Sequence, residues 1–109
     1  MHKCILPDMN LNYSFYAKIW LYSGQGSWHF ASLPKDIGLE VREIAGSAVN
    51  GFGSLRVNVI LDNSVWRTSV FPDKKSGSYI LPIKKSIRDE NKLIDGSEAK
   101  FTITFLDLA

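Results

Sequence analysis

The sequence predicts a mainly β protein, a small closed six-stranded barrel with two short helices at its ends, and three observations carry that expectation. Apolar residues recur at every second position in several short runs. Gly, Pro, Asn and Asp bound those runs. One layout also occurs twice: a strand ending in Leu-Pro, an amphipathic helix, then a closing glycine. In the first copy, residues 28–33 lead through Pro34 into a helical pattern with Ile37, Val41 and Ile44, and then Gly46. In the second, residues 78–81 lead through Pro82 into Ile83 and Ile87, with Gly96 beyond.

Taken in order, the first strand has the clearest pattern. Tyr13, Phe15, Ala17, Ile19 and Leu21 alternate with Ser14, Tyr16, Lys18, Trp20 and Tyr22, so the first set is expected to face the core. Gly24 and Gly26 tolerate positive φ, which lets the chain fold back as a hairpin onto residues 28–33 until Pro34 ends the pairing. Asp36 is the expected N-cap of the first helix, with Ile37, Val41 and Ile44 as its apolar stripe. Gly38 is expected to weaken that helix by nearly ~1 kcal/mol relative to alanine. Three glycines in residues 46–53 predict an exposed, mobile loop.

Leu55, Val57, Val59 and Leu61 form the next alternating strand, and Asp62-Asn63-Ser64 turns it into residues 65–71. A polar loop at 72–77 and a short strand at 78–81 follow, with Pro82 expected as the first residue of the second helix. Leu93 and Ile94 are expected to fold under the end of that helix. Asp95-Gly96 then turns the chain into a last strand whose inward set is Ala99, Phe101, Ile103 and Phe105. Six such strands close most easily into a barrel, which leaves no long unpaired edge.

The chain has 109 residues, 45% of them hydrophobic, enough for one domain with a contiguous core. Residues 13–109 are read as that domain and residues 1–12 as a flexible N-terminal arm. No apolar run approaches the roughly 20 residues of a membrane span. Cys4 is the single cysteine, so no internal disulfide can form, and a structural zinc would have to rely on His2 and His29 beside it. No metal or cofactor is expected, and a cytoplasmic location is the simplest inference.

A net charge of +2 is too small to imply a nucleic-acid partner by itself, but it is unevenly distributed. Residues 67–92 hold Arg67, Lys74, Lys75, Lys84, Lys85, Arg88 and Lys92 against only Asp73, Asp89 and Glu90. The positive field is local.

Trp28-His29-Phe30, Leu33-Pro34, the run from Trp66 through Arg67, Thr68, Ser69, Val70 and Phe71 to Pro72, then Tyr79, Leu81-Pro82, Lys84, Arg88, Leu93 and Gly96 resemble the DUF1905 family, a bacterial and archaeal domain of unknown function. The likeness covers about residues 13–107. It implies a six-stranded Greek-key barrel, similar to small barrels whose neighbouring superfamilies include AbrB-like and MazE-like DNA-binding modules, and it implies no established activity. Where the family often has Gly-Asp, this chain has Gly96-Ser97, so no role is assigned to a carboxylate at that turn.

The most suggestive constellation is Trp66, Arg67 and Ser69 on one strand, Tyr79 on the next, Lys84 and Arg88 one helical turn apart, and Trp28 beside them. Together they predict a basic, aromatic mouth, and the N–H groups of a helix starting near Pro82 are expected to point at it. Against this stands a structural reading in which Trp66 packs in the core, Lys84 and Arg88 are solvated, and Lys85 pairs with Asp89. Tyr16, Trp20 and Tyr22 could stack bases, but the near-neutral net charge favours a reading in which they cover a helix or a subunit interface.

A catalytic reading has little to stand on. His29 is the one histidine inside the domain, Ser69 lacks a Gly-x-Ser-x-Gly context, and the carboxylates at Asp89-Glu90 and Glu40/Glu43 fall on helical patterns. The expectation is therefore a noncatalytic binding module with a basic and aromatic cleft for a small anionic ligand. A homo-oligomeric interaction scaffold is the alternative, followed by nucleic-acid binding in the manner of the AbrB-like and MazE-like barrels.

Overall fold

Period-two burial in each long strand is what lets this chain close on itself, because every second side chain can then point to a common interior. The structure, a computed structural model, describes residues 11–24, 26–46, 53–106 and 108. The elements run β1 (Leu11–Leu21), β2 (His29–Ser32), α1 (Lys35–Ala45), β3 (Leu55–Leu61), β4 (Ser64–Asp73), β5 (Ser78–Pro82), α2 (Lys85–Asn91) and β6 (Glu98–Phe105). The strands close in the order β1-β2-β5-β4-β3-β6, with every pair antiparallel. Among the described residues no helix is long and apolar enough to cross a membrane.

β1–β2, β3–β4 and β4–β5 are joined by local turns, whereas the β2-to-β3 and β5-to-β6 connections cross between non-adjacent strands and each carries one helix. β6 completes the cylinder between β1 and β3. Phe15 lies opposite Phe101 on one side, and Ile103 is shared between Tyr13 and Val59. Phe101, Ile103 and Phe105 are fully buried and form the axis of the core with Val57, Val59, Leu81 and Val70.

Several elements begin, end or face differently from the sequence expectation, each for a local reason. Leu11 and Asn12, read as part of the arm, pair with Phe105 and Thr104 as the first residues of β1. Leu21 is 47% exposed because it closes a strand whose last pairs, with β2, lie beyond the reach of β6. The N-cap of α1 is Pro34 and not Asp36, which sits inside the first turn, and no side chain caps the helix. The buried face of α1 is Gly38, Val41 and Ala45, so Ile44 is left exposed.

β4 runs on through Pro72 to Asp73. There it pairs only with β5, so a residue without an N–H is tolerated on the unpaired side. Pro82 is the last residue of β5 and not the start of α2, because the Ile83 amide donates to the His29 carbonyl (2.9 Å) and keeps the chain extended. Leu93 packs on the core, but Ile94 is exposed. Most of the expected 46–53 loop, residues 47–52, lies outside the described residues.

Each helix is tied to the barrel by a polar contact as well as by apolar packing. Asn91 Nδ2 donates to Ser64 Oγ (2.8 Å), and the buried Ser64 hydroxyl donates to Glu90 Oε1 (2.5 Å), fastening α2 to the β3–β4 turn. Tyr13 Oη donates to Glu40 Oε2 (2.5 Å), fastening α1 to β1. Burial first, and then the hydrogen bond and negative charge of Glu40, push the Tyr13 phenol well above its ordinary value of 10.0.

A raised folded-state value stabilises the protein fully below the unfolded value and loses that contribution as pH rises through the tyrosine range. The urea midpoint of the wild type should therefore fall between about pH 10 and 11 more steeply than that of Tyr13→Phe. Equal slopes would separate Tyr13 from the alkaline transition.

Candidate functional site

β5 lies between β2 and β4 and leads into Lys84. Phe30 pairs with Pro82 across β2–β5, and the Ile83 amide donates to the His29 carbonyl just beyond, next to Trp28. Phe71 pairs with Ile80 across β4–β5, and Arg67 lies four residues earlier along β4. A cleft of about 410 Å³ is lined by Trp28 and His29 beside β2, Trp66 and Arg67 of β4, and Lys84, Lys85 and Arg88 at and beyond the start of α2.

The lining carries four cations and no carboxylate among the described residues. Arg67 Nε donates to Asn58 Oδ1 (3.2 Å) and Arg88 Nε to the Ile83 carbonyl (3.2 Å). Lys85 is engaged with Asp89 (2.7 Å) in an exposed i,i+4 pair, as the residue spacing predicted. Lys84 stands in the extended residue before α2. Asp89 lies outside the lining and offsets Lys85, which leaves Arg67, Lys84 and Arg88 to favour an anion in the cleft.

His29 adds a hydrogen-bonding edge. Its Nδ1 lies 2.8 Å from the Ser27 carbonyl, which can only accept, so Nδ1 carries the proton and Nε2 remains for another contact. Trp66 is 8% exposed: its alternation with Val70 turns it into the barrel end, and its edge still reaches the cleft.

Of the residues singled out in the sequence, the structure brings Trp28, Trp66, Arg67, Lys84 and Arg88 together. Ser69 lies two residues along the strand, in a neighbouring depression of about 410 Å³ shared with Arg56 and Thr68. Tyr79 is not at the cleft. It shares the inward face of β5 with Leu81 and is 3% exposed within the core cluster. α2 spans seven residues and starts after Lys84, so the charge of the cleft comes from side chains and not from a helix end.

His29, Thr68 and Lys85 join the site only through the β2–β5 and β4–β5 pairings. Their one signal in the sequence is closeness to Trp28, Arg67 and Lys84.

A wider groove of about 840 Å³ adjoins the cleft, walled by Trp20, Tyr22, Phe30 and Phe71, with Lys74 and Lys75 at its rim. Trp20 is not the free ring that strand alternation suggested. Its indole N–H donates to Ser32 Oγ (3.0 Å) and its ring lies 5.1 Å from that of Phe30. Trp28 borders the cleft, the groove and the Ser69 depression alike. Of the zinc-type residues considered, His2 and Cys4 lie outside the described residues, and no cluster of three metal-binding side chains occurs among those described.

No curated protein matches the chain. Residues 15–103 match the family described as Domain of unknown function (DUF1905), over all but the first residues of β1 and the last of β6 and including Trp28, Trp66, Arg67, Lys84 and Arg88. With most of its length covered by that match, the chain belongs to the DUF1905 family.

Proposed function

We propose that this protein is a noncatalytic binding module whose basic cleft takes a small anionic ligand, in the cytoplasm to which its single cysteine is suited. The observation that carries this reading is a lining of four cations, of which Lys85 is paired with Asp89 and Arg67, Lys84 and Arg88 supply the excess. A cleft with an excess of one sign attracts an anion of the other. Two guanidinium groups are suited to the paired oxygens of a phosphate or carboxylate, which an arginine grips bidentately.

Backbone amide shifts during a titration with inorganic phosphate test the proposal. Shifts are expected at residues 27–29, 66–68 and 83–88, and the double variant Arg67→Gln/Lys84→Gln should bind at least about tenfold more weakly, since each charge-assisted bond contributes about 1.5–3 kcal/mol. The control Lys100→Gln, at an exposed position of β6, should leave the affinity unchanged. Shifts scattered over the surface, or equal binding by the double variant, would overturn the reading.

A further inference from the structure

Trp28 is 55% exposed, a large apolar surface to leave in water on a domain of this size. The ring is nevertheless held. It lies parallel to Phe30, with 8° between the planes and 6.1 Å between the centroids. On the loop side it packs over Gly26, where a Cβ would stand 3.1 Å from the indole Cδ1 and where φ is +84°. An immobilised indole on the rim of a cationic cleft is a platform already ordered for stacking, so little rotamer entropy is lost when a planar group lies on it.

Resting on the reading of the cleft as an anion site, the geometry points to a free mononucleotide as the ligand, its phosphate among Arg67, Lys84 and Arg88 and its base flat on Trp28. The volume agrees with that assignment: 410 Å³ is within the range of small-molecule sites and far more than one tetrahedral anion fills. Charge argues for a single nucleotide over a strand. The net charge is only +2, whereas a polynucleotide footprint needs a basic excess across the domain. His29 and Thr68 also line the cleft, and both residue types can hydrogen-bond a sugar or a base edge.

Calorimetric titrations of the wild type, Trp28→Ala and Trp28→Phe with inorganic phosphate and with a nucleoside 5′-monophosphate test this assignment. Stacking on an aromatic side chain contributes about 1–3 kcal/mol per base, so the nucleotide should bind the wild type at least about fivefold more tightly than phosphate does. Trp28→Ala should lose that advantage and keep its phosphate affinity, while Trp28→Phe keeps most of the advantage. Phosphate binding without any gain from the base, or an equal loss of both ligands in Trp28→Ala, overturns the nucleotide and leaves the anion site standing. Failure of both ligands to bind overturns the anion site itself. Affinity for a single-stranded oligonucleotide that rises steadily with its length would overturn the free mononucleotide.

Discussion

Phe101→Ala is expected to lower the stability of the protein by about 3–5 kcal/mol, the range for removing a fully enclosed phenyl ring. Phe101 is 0% exposed, and its ring meets Phe15 across β1–β6 with 5.9 Å between the centroids and 33° between the planes. The position also cannot relax. β6 is hydrogen-bonded to β1 on one side and to β3 on the other, so closing the cavity would mean breaking the cylinder. Small domains have only about 5–15 kcal/mol in hand, so the variant should lie close to unfolding at ambient temperature. Urea denaturation checks this: the midpoint should fall sharply with the slope preserved, and a loss below about 1 kcal/mol would mean that the barrel interior repacks.

The second large effect reverses a rule of helix propensity. Gly38→Ala replaces a poor helix former by the best one, a change worth nearly ~1 kcal/mol in favour of an isolated helix. Here it is expected to destabilise by about 1–3 kcal/mol, the usual range for overpacking. A Cβ on Gly38 would lie 2.1 Å from Ser78 Oγ, 2.8 Å from Ser78 Cβ and 2.9 Å from Ser78 Cα. The hydroxyl could turn, but the Cα belongs to β5 and is held by pairing with β4. Ser78 is itself buried, with its hydroxyl donating to the Pro34 carbonyl (3.3 Å) at the start of the same helix.

The melting temperature of Gly38→Ala should drop by roughly 4–8 °C per kcal/mol lost, and Ser78→Gly in that background should restore part of it. A higher melting temperature would show that α1 does not approach β5 so closely. Because β5 leads directly into Ile83 and Lys84, displacing α1 should also weaken anion binding, a coupling the phosphate titration can read.

Gly38 shows where reading along the chain reaches its limit. Its cost within a helix is a local property and was legible; its use as the point of closest approach depends on Ser78, forty residues away. The same division separates Trp66 from Tyr79. Both are aromatic, Trp66 beside the basic stretch and Tyr79 within it, and both were candidates for the cleft. Trp66 lies at the barrel end with its edge open to the cleft, and Tyr79 lies inward beside Leu81. Nothing in their immediate neighbours distinguishes them.

Lys84 and Arg88 were legible as a pair because a helical turn brings residues four apart onto one face. His29 was not, because it reaches them through β2–β5 pairing, which no local pattern encodes. Pro82 misled for a related reason: a proline suits the first turn of a helix as well as it suits a strand end, and the hydrogen bond from Ile83 to His29 settled between them.

By itself, then, the sequence determined the strands, their inward faces, the closed mainly β architecture and the family, because period-two alternation and turn-forming residues act over a few neighbours at a time. Beyond the β1–β2 and β3–β4 hairpins, which their turns predicted, the tertiary structure alone decided which strands lie side by side, and with that the composition of the cleft. Arg67 comes from β4, Trp28 from the residue before β2 and Lys84 from the residue before α2, and only the closure of the cylinder brings them to one cleft.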